Sequence, residues 1–140
     1  MTSDPRDLYP LSEKAPEKIR TANGLGLSDF TLEAVLAGRV KPDDLAITPE
    51  TLRMQADIAR ASGYDRLAEN LERAAELAVV PQPLLLDTYE LLRPGRAHNA
   101  QQLHDRAEEL LSAYGARRIA ALIHEAAEVY ERRGLFTRRF

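Results

Sequence analysis

The sequence predicts an all-α protein: a compact multihelical domain preceded by an irregular, proline-rich N-terminal arm. Three observations carry that reading. From Thr31 onward apolar residues recur three and four positions apart, the spacing of one helical face. No stretch alternates with period two for long enough to make a strand. Between the periodic segments stand residues that start and stop helices: Thr48-Pro49, Asn99, Gly38, Gly63 and Gly134. The length of 140 residues suits one domain. Residues 1–30 are read as the arm and 31–140 as the helical domain, together one structural unit.

The arm is punctuated by Pro5, Pro10, Pro16, Asn23-Gly24 and Gly26, which favour turns over helix. It also carries Leu8, Tyr9, Leu11, Ile19, Leu25, Leu27 and Phe30, more apolar side chains than a disordered tail holds. It is therefore expected to pack on its own domain or on a partner. In "TLEAVLAG" Leu32, Val35 and Leu36 share one face before Gly38. After a connector at Pro42, a capping Thr48, a first-turn Pro49 and an early Glu50 start a helix that runs to about Ser62. "YDRLAENLERAAELAV" places Leu67, Leu71, Ala74, Ala75 and Ala78 on one stripe, and a short helix follows over 83–92. The next helix starts near Asn99 with Leu103, Ala107, Leu110, Leu111 and Tyr114, and Gly115 weakens it by about 1 kcal/mol relative to alanine. "ARRIAALIHEAAEVYERR" continues as the best amphipathic segment, with Ile119, Leu122, Ile123, Ala126, Val129 and Tyr130 on one face.

Composition removes several function classes. The net charge of −3 opposes nucleic-acid binding by phosphate neutralisation. Arg132, Arg133, Arg138 and Arg139 read as helix-end cations favoured by the macrodipole. With no cysteine, the chain has no disulfide, thiolate nucleophile or zinc-thiolate site. The N-terminus carries no apolar signal core, and no run is long enough to span a bilayer. The expected location is the cytoplasm, with neither membrane nor nucleic acid as partner.

No motif assembles an active site. His124-Glu125-Ala126-Ala127-Glu128 resembles a clipped metalloprotease box, but Glu128 stands where the second imidazole belongs. His124 and Glu128 are read instead as an exposed helix face. "NGLG" at 23–26 follows no strand and is a turn. Asp43-Asp44, on a connector with no base or metal partner, are read as solvated surface. No catalytic, cofactor-binding or metal residue is assigned.

The apolar excess says more. In "PLLLDTYELLRP" a helix spreads Leu84, Leu85, Leu86, Tyr89, Leu91 and Leu92 around nearly its whole circumference. Such a helix is either central or covered by another chain. Arg93 and Arg96, flanking a Pro-Gly break, favour an interface, since guanidinium groups lie along apolar surface and pair with carboxylates across it.

In order along nearly the whole chain stand "YPL" (9–11), "PEKI" (16–19), Thr21 with Gly24, "SDFTLEAVLAGRVKPDDLAI" (28–47) and "TLRMQADIA" (51–59). They continue with "NLERAAEL" (70–77), "VPQPLLLDTYELLRPGR" (80–96) and "EAAEVYERR" (125–133). This ordered set resembles the small (gamma) subunit of adenosylcobalamin-dependent diol dehydratase and glycerol dehydratase. The resemblance implies a helical, non-catalytic subunit that packs on a large subunit, whose TIM barrel holds substrate and a metal ion. It implies a medium subunit that helps bind adenosylcobalamin, and a dimer of such heterotrimers. Radical chemistry there converts 1,2-diols or glycerol to aldehydes, and this chain alone binds no cofactor. Some members carry a long N-terminal extension associated with bacterial microcompartments. Here few residues precede Tyr9, so free cytoplasm is the expectation. Tyr9, Leu11, Leu85, Tyr89, Leu91, Arg93 and Arg96 are the expected subunit-interface residues. The alternative is a free-standing helical adaptor or regulator.

Overall fold

The computed structural model describes residues 3–136. Among them the chain forms seven α-helices and several short 3-10 turns, with no strand beyond an isolated bridge between Arg20 and Gly26. The all-α expectation holds. The chain divides into two compact units, Met1–Ala78 and Val79–Phe140, and the arm belongs to the first.

The first unit contains α1 (Leu11–Lys14), α2 (Leu32–Leu36), α3 (Pro49–Ala61) and α4 (Asp65–Leu77). α3 starts as its sequence signals ask, with Thr48 Oγ1 accepting from the Thr51 amide at 3.3 Å and Pro49 in the first turn. Past Ser62, Gly63 at φ +83° reverses the chain, and the Tyr64 amide donates to the Ala59 carbonyl at 2.8 Å. α4 then returns along α3 on a seam of Ala56, Ala59 and Ala68, with Leu71 at its margin. The buried line of α4 is Ala68 and Ala75, so the expected stripe is rotated and Leu67 is exposed. Small side chains let the backbones approach closely, and a leucine at the seam would hold them apart.

The arm packs on its own unit. Leu11 and Ala15 bury against Ile58 of α3, with Leu8, Ile19 and Met54 around them. Asp44, read above as solvated, is buried and structural. Its Oδ2 accepts from the Lys41 amide at 2.8 Å and its Oδ1 from the Asn23 side-chain amide at 2.9 Å. These donors, the Lys41 amide foremost, hold its carboxyl below the ordinary value of 3.8. Periodicity could not reveal this, because the Asn23 donor lies twenty-one residues away.

The second unit contains α5 (Gln82–Leu92), α6 (Ala100–Tyr114) and α7 (Arg117–Arg132). Asn99 caps α6, its Oδ1 accepting from the Gln102 amide at 3.0 Å. Gly115 does more than weaken a continuing helix: it ends α6 at φ +64°. The amides of Gly115 and Ala116 close back on the carbonyls of Leu111 and Leu110, and the chain reverses into α7. The two helices form a hairpin whose core is Leu103, Ala107 and Leu110 against Ile119, Ala120, Ile123 and Ala127. Leu103, Leu110 and Ile123 are its largest fully buried side chains. Arg132 and Arg133 stand at the end of α7, whereas Arg138 and Arg139 lie outside the described residues.

Candidate subunit interface

α5 buries only Thr88. That hydroxyl donates to the Leu84 carbonyl at 2.7 Å and accepts from Arg106 of α6 at 2.8 Å. The other arm of the same guanidinium reaches Asp87 at 2.6 Å, and the Tyr130 hydroxyl of α7 donates to the Leu92 carbonyl at 2.6 Å. Polar ties thus fasten α5 to its unit, and its apolar circumference is only partly covered. Leu84, Leu85, Leu91 and Leu92 are half-buried, while Leu86 and Tyr89 are 56% and 66% exposed. α5 is not a central helix, because a central helix would have both of those side chains inside.

At its end the chain turns through Arg93-Pro94-Gly95-Arg96. The Arg96 amide donates to the Arg93 carbonyl at 3.0 Å, with proline second and glycine third at φ +81°. This is the arrangement of a type II turn, whose third position asks for a positive φ. Both arginines converge on one carboxylate: Arg93 meets Glu90 at 2.9 Å and Arg96 meets it at 3.8 Å. Each guanidinium is about half exposed, so these pairs add little stability, and salt screens them.

The arm residues separate. Tyr9 is 68% exposed on the rim of an open groove of about 660 Å³ that Pro10, Ile58, Tyr64 and Leu67 also line. Leu11, two residues on, also lines that groove but is mostly buried in the unit's own core.

Sequence reasoning named no interface residue in the region from 27 to 47. Leu32, Val35 and Leu36, read as one helical face, do share a face, but Leu32 and Leu36 are 76% and 80% exposed and Ala34 is the buried residue of α2. Leu45 and Ile47 nearby are also exposed. The available signal was length: a helix of five residues, closed off by Gly38, is too short to bury three large aliphatic side chains. His124 was misplaced as well. It is partly buried, not on an exposed face, and pairs with His104 and Glu108 of α6.

The comparisons with known proteins agree in direction. The dehydratase small-subunit family model matches residues 5–137. The propanediol dehydratase small subunits of Citrobacter freundii and of Salmonella typhimurium strain LT2 are each 49% identical to this chain over 125 residues. That alignment covers 89% of this chain and 72% of either relative. Matched over nearly its whole length, the chain belongs to the dehydratase small-subunit family.

Proposed function

We propose that this chain is a non-catalytic small subunit of an adenosylcobalamin-dependent diol or glycerol dehydratase, packing on the large catalytic subunit of a complex that also contains a medium subunit. The relatives support the substrate class, since both are named for propanediol. The complex, a dimer of heterotrimers in the cytoplasm, turns a 1,2-diol or glycerol into an aldehyde by radical chemistry. The cobalamin and the metal ion belong to the larger subunits. One observation carries the docking role: α5 is fixed in place by hydrogen bonds through Thr88, Asp87 and Leu92, with Leu86 and Tyr89 left bare. Large apolar side chains held in fixed positions on a surface are what a partner's core covers.

The test is assembly. Co-expressed with its larger partners, the tagged chain should bring down a heterohexamer-sized species by intact-complex mass measurement. That species should convert 1,2-propanediol only when adenosylcobalamin is added. Tyr89→Asp should lose co-purification of the large subunit while the chain keeps its helical circular dichroism. Undiminished co-purification by Tyr89→Asp would remove α5 from the interface. A chain that stays alone while the large subunit is present would remove the subunit reading altogether.

A further inference from the structure

The hairpin of α6 and α7 brings two imidazoles together. His104 and His124 lie ten residues on either side of Tyr114, where α6 ends, so the reversal at Gly115 sets them opposite each other. Their Nδ1 atoms are 2.7 Å apart, with ring centroids at 4.9 Å and planes 30° apart. On its outer side His124 Nε2 is 3.2 Å from Glu108 Oε1. A carboxylate can only accept, so His124 donates from Nε2 and keeps Nδ1 bare, and His104 must donate its Nδ1 proton into the pair.

We infer that this pair is a two-imidazole site for a late first-row divalent metal ion, bound by Nδ1 of His104 and Nδ1 of His124. Spacing is the first argument. Two metal–nitrogen bonds of about 2.0 Å meeting at a right angle place their nitrogens about 2.8 Å apart, whereas a tetrahedral angle needs about 3.3 Å. The observed 2.7 Å matches the right-angled, tetragonal case in spacing, and the two partly exposed rings turn from facing each other to facing the ion. That geometry belongs to Cu²⁺ and Ni²⁺, and Cu²⁺ also stands highest in the general affinity order.

The second argument is the carboxylate. A metal-bound histidine characteristically donates its other ring N–H to a carboxylate, which fixes tautomer and orientation, and Glu108 already does this for His124. Metal entry requires only that His104 pass its ring proton from Nδ1 to the outer Nε2 through solvent. Both imidazoles stay neutral. Among the described residues no group of three or more histidine and carboxylate ligands converges, so water fills the remaining positions. A bound ion would clip α6 to α7 at mid-length.

The full chain, its affinity tag removed, is titrated with CuCl₂, NiCl₂ and ZnCl₂ by calorimetry, and the copper form is read by electron paramagnetic resonance. One tight equivalent is expected, with two nitrogen ligands on copper and affinity falling in the order Cu²⁺, Ni²⁺, Zn²⁺. His104→Gln and His124→Gln should each abolish that equivalent, and His98→Gln, at the third histidine, should leave it intact. Glu108→Gln, on an exposed side chain that cannot unfold the hairpin, should weaken it by about tenfold. No tight equivalent, or one that survives His104→Gln with the helical spectrum unchanged, overturns the site. Tightest binding of Zn²⁺ overturns its right-angled geometry.

Discussion

Two hairpins of the same kind, α3–α4 and α6–α7, are built on opposite principles. The second closes on large side chains, Leu103, Leu110 and Ile123, all fully buried. The first closes on Ala56, Ala59 and Ala68 with Leu71 at the margin, while Ile58 lies under the arm and Leu67 in solvent. Burying an alanine removes little apolar surface from water, so the first seam gains its stability from close backbone approach and needs the arm to complete its core. A hairpin with large side chains carries its own core. One with small side chains borrows a core from whatever packs on its outer face.

The sharpest way to break this contrast is to empty the second core. Leu110→Ala should cost about 3 kcal/mol, since a large buried side chain leaves a cavity that a tight hairpin cannot collapse. Hydrogen exchange should show α6 and α7 losing protection while α3 and α4 keep theirs. Equal loss in both hairpins would mean that the two units unfold as one.

The first hairpin should fail in the opposite sense, by overfilling. Ala68→Leu should cost about 2 kcal/mol in urea denaturation, because the added methylenes meet Ala56 and Ala59 across the seam. A neutral result would show that the seam is loose.

The smallest effect is one of slope. Asp44 lies in the first unit with its folded-state carboxyl depressed by the Lys41 amide and the Asn23 side chain. Its contribution is therefore complete above the ordinary value of 3.8 and is lost as pH falls through the lower folded value. Exchange followed from neutral pH to below that range should show the Asn23–Asp44 segment loosening with acid. In Asp44→Asn the same segment should start looser and respond less to acid. An identical acid response in the two proteins would take Asp44 out of the acid sensitivity.

These cases also mark what was legible. Thr48-Pro49 and Asn99 could be read because a cap acts within three residues of itself. Helix existence followed from periodicity, as did Leu103, Ala107 and Leu110 on α6, whereas on α7 only Ile119 and Ile123 of the expected face are buried, Leu122 being exposed and Ala120 and Ala127 taking its place. Rotation of a face was not readable where the seam is alanine, because Leu67 and Leu71 dominate the periodic pattern of α4, while the packing buries Ala68 and Ala75 at the edge of that stripe. Gly115 looked like a weak point because composition cannot show a backbone angle. Among the expected interface residues, Tyr9 and Tyr89 are the ones left open, Leu85 and Leu91 are half covered, and Leu11 belongs to the core. Arg93 and Arg96 share the single carboxylate of Glu90, so only part of their charge is answered by that residue. The facing of His104 and His124 was readable in principle, as equal distances from a reversal, once Gly115 was known to be one.

The polar fastening of α5 bears on how the chain must be made. Hydrogen bonds through Thr88, Asp87 and Leu92 hold the helix whether or not anything covers Leu86 and Tyr89. The uncovered surface is thus present from the moment the chain folds, and surplus copies meet each other with the same bare leucine and tyrosine. If α5 is the docking face proposed above, dosage becomes part of the design: a chain made in excess of what covers α5 is expected to self-associate through it.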